Sequence, residues 1–275
     1  MREPLRLPRS ARGLPRGRGG RTLTRALLKV PEITLYFWIV KILTTAMGEA
    51  TSDYLVFHIN PYVAVALGGL GLVVALAWQL SVRRYVAPIY WFAVVMVTIF
   101  GTMAADVTHV VLGVSYLHSS AFFAVALAII FVAWYRSEQT LSIHSIVTGR
   151  REVFYWATVM ATFALGTAAG DLTAATFHLG YLGSGVLFAV LFVLPGLAYR
   201  FLGLHAIAAF WWAYIVTRPL GASFADWVGK PILGGLGLGD APVALVLTLL
   251  IVGVVGYLSV SRVDRPEETR EHPAA

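Results

Sequence analysis

The stretch FWIVKILTTAMGEATSD, residues 37–53, decides the fold because its pattern of residue types returns three more times along the chain. An aromatic residue precedes a tryptophan, a glycine follows ten residues after that tryptophan, and an aspartate follows five residues after the glycine. The later copies are YWFAVVMVTIFGTMAAD at 90–106, YWATVMATFALGTAAGD at 155–171 and FWWAYIVTRPLGASFAD at 210–226. Four matches to one spacing, at intervals of 53, 65 and 55 residues, indicate four internal structural repeats.

Every copy of this motif supplies the same three residue types. The motif tryptophans are Trp38, Trp91, Trp156 and Trp211. The motif glycines are Gly48, Gly101, Gly166 and Gly221. The motif aspartates are Asp53, Asp106, Asp171 and Asp226. We expect structural roles for the tryptophans and glycines, because indoles favour the membrane interface and small residues let helices approach closely.

The composition predicts an all-α integral membrane protein. Of 275 residues, 58% are hydrophobic and 13% are charged, whereas soluble domains carry about 25% charged residues. Eight apolar runs predict about eight transmembrane helices, at 33–57, 62–81, 87–113, 119–135, 153–178, 184–199, 205–228 and 242–259. The absence of cysteine excludes disulfides and thiolate metal sites. Because the eight apolar runs are expected to span a membrane, the lipid bilayer is the first expected partner.

The basic residues predict how the chain lies in the membrane. They cluster before the first span and in every second loop, whereas the intervening loops contain only Lys230. By the positive-inside rule, both termini are cytoplasmic, and the net charge of +7 reflects orientation and not nucleic-acid binding. We divide the chain into a disordered arginine-rich arm at 1–28, a membrane domain at 29–262 and a cytoplasmic tail at 263–275. The repeats of that domain cover roughly 30–84, 85–149, 150–203 and 204–262.

The four tandem two-helix units, each marked by its tryptophan, resemble a bacterial membrane-protein family known only as a repeat of unknown function. The resemblance covers about residues 30–260. It implies a four-repeat fold in the bacterial cytoplasmic (inner) membrane and no established activity. Because each repeat contains two spans, all copies enter the membrane in the same direction, and equivalent residues lie at equal depth. Their polarity predicts an inner bundle of odd-numbered helices within a layer of even-numbered ones.

Candidate binding residues share one polar face of the first helix, which lipid cannot solvate: Lys41, Glu49 and Asp53. The other three motif aspartates are expected near the level of Asp53, where converging carboxylates repel one another and favour protons or cations. Because Glu49→Gln removes one of these like charges, we expect the variant to be at least as stable as the wild type. The alternative is that each motif aspartate is a structural hydrogen-bond acceptor.

Two basic residues and one histidine complete the candidates. Arg218 precedes the helix-bending Pro219 and is expected to pair with Glu49 or Asp226. The two residues mark either a binding site at an interrupted helix or a plain kink with a structural ion pair. Lys41 either belongs to the site or extends to the cytoplasmic surface. His109 follows Asp106 by one helical turn, so the two side chains are candidate ligands of a metal site. The alternative is that His109 is an ordinary histidine of the membrane interface.

These residues favour a small secondary transporter for a cation, with a divalent metal and proton coupling as versions of that hypothesis. The alternative is a membrane-embedded binding, sensory or accessory protein that transports nothing. No phosphate-binding loop, hydrolase signature or metalloprotease signature is present, so we do not expect an enzyme. A bound divalent metal ion is the one cofactor that the pattern supports.

Overall fold

The computed structural model describes residues 28–265, which are all-helical and contain no strand. The eight long helices are α1 (Leu35–His58), α2 (Pro61–Ser81), α3 (Ala87–Asp106), α4 (Tyr116–Glu138), α5 (Gly149–Asp171), α6 (Gly180–Phe201), α7 (Ala206–Gly229) and α8 (Asp240–Ser261). The eight predicted spans are confirmed as helices. Their starts differ from the prediction by at most four residues, as between 153 and Gly149, whereas α3 and α5 end seven residues before the predicted 113 and 178. Two helices continue into five-residue π-helical turns, α3 into Val107–Val111 and α5 into Leu172–Thr176.

Local sequence determines where these helices begin. The Thr34 side chain accepts a hydrogen bond from the Phe37 amide at the start of α1. Asn60 caps α2 in the same way, and Pro61 follows it at the first helical position, where its missing N–H has no partner to lose. Ser115 caps α4 by accepting from the His118 amide. Such caps make the helix starts readable from sequence.

The odd-numbered helices form a closed inner ring, in which α1 contacts α3, α3 contacts α5, α5 contacts α7 and α7 returns to α1. The even-numbered helices cover this ring from outside, as their more apolar sequences predict. Each outer helix packs mainly on the inner helix of the next repeat: α2 on α3, α4 on α5, α6 on α7, and α8 back on α1. The four repeats are therefore interleaved around the ring, and the last repeat closes on the first.

The aromatic residues of the motif join successive repeats. The aromatic residue before each motif tryptophan contacts the tryptophan of the next repeat, and the last repeat contacts the first. The ring centroids are 5.8 Å apart for Phe37 and Trp91, 5.6 Å for Tyr90 and Trp156, 6.3 Å for Tyr155 and Trp211, and 5.8 Å for Phe210 and Trp38. Aromatic pairs at such separations are worth about 0.5–1.5 kcal/mol beyond their burial. We call this end of the ring the tryptophan end.

The motif glycines lie where neighbouring inner helices touch. A Cβ atom at each of them would collide with a side chain of the next repeat, three residues before that repeat's own glycine. The collisions pair Gly48 with Thr98, Gly101 with Phe163, Gly166 with Arg218 and Gly221 with Thr45. The glycines are therefore required for the close approach of the inner helices.

Within residues 28–265, six helices are long and apolar enough to cross a membrane: α2, α3, α4, α5, α6 and α8. The other two, α1 and α7, have 24 residues each, about 36 Å of helix. They carry the charged residues of the polar face and bury them inside the ring, as membrane-embedded charges require. The chain thus has the helices of a membrane protein, with its polar groups turned inward.

Both ends of the described chain pack into the fold at the tryptophan end. The Lys29 ammonium binds the buried Glu152 carboxylate, and the Tyr85 hydroxyl donates to Asp264. Asp264 lies within the predicted tail at 263–275, but its side chain is buried in the fold. Of the predicted arm, residues 1–27 lie outside the described residues, as does most of the predicted tail, 266–275.

Candidate functional site

The centre of the ring is occupied by Arg218. Three acceptors share the two hydrogens of its Nη2 atom: Glu49 Oε2 at 2.5 Å, Thr102 Oγ1 at 2.5 Å and Thr167 Oγ1 at 2.7 Å. The three acceptors hold equivalent positions, each directly after a motif glycine, and the fourth repeat has Ala222 there. One arginine of the fourth repeat therefore contacts all of the other three.

The ion pair between Arg218 and Glu49 is fully inside the protein. The Arg218 side chain is 0% exposed and the Glu49 side chain 4%. Removing one partner of such a pair costs about 3–5 kcal/mol, because the other charge stays buried without compensation. The prediction that Arg218 pairs with Glu49 or Asp226 thus resolves to Glu49.

Three buried carboxylates lie together one to two helical turns nearer the other end of the ring, which we call the aspartate end. Glu49, Asp53 and Asp226 each offer an oxygen, and these oxygens all lie within 4.8 Å of one another. We call these three residues the carboxylate cluster. Its members come from the first and fourth repeats, which adjoin only because the ring closes.

Lys230 supplies the cluster with a positive charge. Its Nζ atom lies 2.7 Å from Asp53 Oδ2 and 2.8 Å from Asp226 Oδ1. Burial alone would lower the pKa of Lys230, but the carboxylates of Asp226 and Asp53 raise it well above its usual value. Lys230 therefore stays protonated, and its ammonium bridges two motif aspartates.

Sequence reasoning missed Lys230 as a site residue, although two signals for it were present. It follows Asp226 by four residues, the spacing at which an acidic and a basic side chain meet on a helix. It is also the one lysine or arginine in the predicted outer loops, where orientation gives no reason for it.

The other two motif aspartates, Asp106 and Asp171, lie outside the carboxylate cluster. Both are half-buried at the ends of α3 and α5, and each directly precedes a π-helical turn. Asp106 lies within electrostatic range of Glu49, Asp53 and Asp171. All four motif aspartates therefore share the aspartate end, but only those of the first and fourth repeats hold Lys230.

His109 does not join the carboxylate cluster. Its ring packs on Tyr116, with centroids 3.5 Å apart, and is part of the π-helical turn after Asp106. Within residues 28–265, the one group of three or more acidic or histidine ligands near enough for a metal ion is the carboxylate cluster. The candidate metal ligands that the structure brings together are therefore all carboxylates.

Lys41 lies inside the ring on the tryptophan side of Arg218. Its side chain is 1% exposed, and its Nζ atom lies 4.0 Å from the Phe163 ring centroid and 4.3 Å from that of Tyr214. The interpretation that Lys41 extends to the membrane surface is therefore wrong, because the closed ring leaves its ammonium no path there. Beyond it, Tyr90 and Tyr155 share a 2.5 Å hydrogen bond, and aromatic side chains fill the ring.

Four successive stretches of the chain, residues 36–85, 89–140, 154–203 and 209–264, match the family described as Repeat of Unknown Function (DUF347). The four matches coincide with the four interleaved repeats of the ring. No curated protein and no solved structure matches the chain.

Proposed function

This chain belongs to the DUF347 repeat family, and from that premise we propose that it is a small secondary transporter for a hard divalent cation, coupled to protons. One observation carries the proposal: three buried carboxylates within 4.8 Å of one another, on the two most polar helices of the ring. Burying such a group is costly unless a cation compensates it.

The chemistry of the carboxylate cluster selects the class of cation. Its donors are all carboxylate oxygens, which suit Mg²⁺, Mn²⁺ and Ca²⁺, whereas thiolate-preferring metals find no sulfur ligand in a chain without cysteine. Metal binding requires these carboxylates to be deprotonated. Any carboxylate of the cluster that is protonated at rest would release its proton on cation entry and take one up on cation exit.

The proposed route opens at the aspartate end. The tryptophan end is filled by packed aromatic side chains and by Lys41, and the Arg218 guanidinium lies between it and the carboxylate cluster. Loops rich in arginine adjoin the tryptophan end, so we assign that end to the cytoplasm of a bacterial inner membrane. Pro219 removes one backbone hydrogen bond from α7 and is the natural place for this helix to bend when the site changes access.

The second candidate is a binding or accessory protein without transport activity. The contact of Arg218 with all three other repeats favours it, because such a buried network holds the ring in one arrangement. The two candidates differ in whether a cation crosses the membrane.

Flux measurement distinguishes these candidates. We expect purified protein in liposomes to move Mn²⁺ in response to a pH gradient, and Asp53→Asn to abolish this flux. Glu138→Gln is the control, because Glu138 pairs with Arg151 near the tryptophan end, away from the carboxylate cluster. Mn²⁺ binding without flux would support the accessory protein, and flux retained by Asp53→Asn would overturn the site.

A further inference from the structure

The loop between α7 and α8 places a lysine where the proposed cation would bind. Lys230 follows the last residue of α7, and its Nζ atom lies between Asp53 Oδ2 and Asp226 Oδ1 at 2.7 and 2.8 Å. These oxygens belong to two of the three residues that offer a metal ion its ligands. An ammonium and a metal ion cannot share this position.

We propose that Lys230 is a tethered occupant of the cation site, which an incoming divalent cation must displace. The inference rests on the proposed function and adds to it a built-in competitor. The Lys230 ammonium lowers the affinity of the site for cations and favours divalent over monovalent ones. When no cation is bound, the Lys230 ammonium then fills the cation site.

Charge balance explains why a divalent cation is the competitor. Arg218 compensates Glu49, which leaves two negative charges on Asp53 and Asp226 when they are ionised. Lys230 compensates one of these two charges, whereas a divalent cation compensates both. A monovalent cation only reproduces the balance that Lys230 already provides, and so gains nothing from displacing it.

The geometry of the loop allows the lysine side chain to leave while its backbone stays in place. The amides of Leu236, Leu238 and Gly239 donate to carbonyls at the end of α7, at 2.6, 3.0 and 2.9 Å. These bonds fix the loop over the aspartate end. The Lys230 side chain is 20% exposed and has a flexible four-carbon stem, so rotation about its own bonds moves the ammonium outward.

Amine labelling tests this displacement directly in the unaltered protein. The chain has three lysines, and two of them are buried internal controls: Lys29 in its ion pair with Glu152, and Lys41 inside the ring. We expect Mn²⁺ to raise acetylation of Lys230 by a water-soluble ester several-fold, and to leave the two controls unchanged. The modified positions are read by mass spectrometry of peptides.

A binding measurement gives the second test. Lys230→Met removes the ammonium but keeps a side chain of similar length, and we expect it to bind Mn²⁺ at least tenfold more tightly than the wild type. Arg200→Met is the control for loss of one positive charge, since Arg200 lies in the last turn of α6 at the tryptophan end. It should leave the Mn²⁺ affinity unchanged.

The outcomes separate this inference from the proposed function. Mn²⁺ binding that is equal in wild type and Lys230→Met, with unchanged acetylation, would overturn the tethered occupant and leave the cation site standing. Absence of Mn²⁺ binding from both proteins would overturn the cation site, and the inference with it. The labelling result decides the question even where Lys230→Met does not fold, because it needs no variant.

Discussion

Neutralising Glu49 should destabilise the protein by about 3–5 kcal/mol, because it leaves the Arg218 guanidinium buried without its counter-charge. This reverses the expectation from sequence that Glu49→Gln relieves repulsion among carboxylates. The structure shows why: the nearest charge to Glu49 is Arg218 Nη2 at 2.5 Å, and both side chains are almost fully buried. Loss of that attraction exceeds relief of the repulsion from Asp53 and Asp226.

A double-mutant cycle measures this coupling. Equilibrium unfolding in detergent would be followed for Glu49→Gln, for Arg218→Met and for the pair. Since Met removes the buried charge and keeps much of the apolar stem, we expect the double variant to be more stable than Glu49→Gln alone, with a coupling energy of about 2–3 kcal/mol. A cost below about 1 kcal/mol for Glu49→Gln, or additive effects in the pair, would refute a strong central ion pair.

Two further predictions concern packing and orientation. Gly221→Ala should cost about 1–3 kcal/mol, because its Cβ would collide with Thr45, whereas Gly253→Ala on α8 meets nothing within 4 Å and should be neutral or stabilising, as thermal unfolding would show. In a chain without native cysteine, Leu117→Cys should react with an impermeant thiol reagent from outside the cell, and His144→Cys only after permeabilisation. Both positions are exposed, at opposite ends of the ring, so the reverse labelling pattern would contradict the proposed orientation.

The helices and their repetition were predictable because both depend on short-range pattern. Apolar runs of about 20 residues predict helices, and capping residues such as Thr34 and Asn60 show where they begin. The constant spacing of Trp-x9-Gly-x4-Asp shows which residues are equivalent. Equivalent residues on helices that run in one direction lie at one level, so the shared end of the motif aspartates also followed from sequence.

The tertiary structure decided which residues of different repeats meet. Nothing local shows that each outer helix packs on the next repeat, or that the fourth repeat returns to the first. The pairs of Arg218 with Glu49 and of Lys230 with Asp53 join residues far apart in sequence. They depend on ring closure, since helical periodicity states the direction of a side chain on its own helix and not the identity of its neighbour.

Lys41 and Lys230 show the same division most clearly. Each has a long flexible stem, so the position of its Cα leaves several endpoints for its ammonium within reach. The sequence was compatible with a Lys41 side chain that extends to the membrane surface, and it placed Lys230 in an outer loop. The closed aromatic ring confines the first, and the adjacent carboxylates of α1 and α7 attract the second. Sequence by itself determined the helices, their order and their shared levels, whereas long-range packing determined where the charges lie, because only packing excludes their other positions.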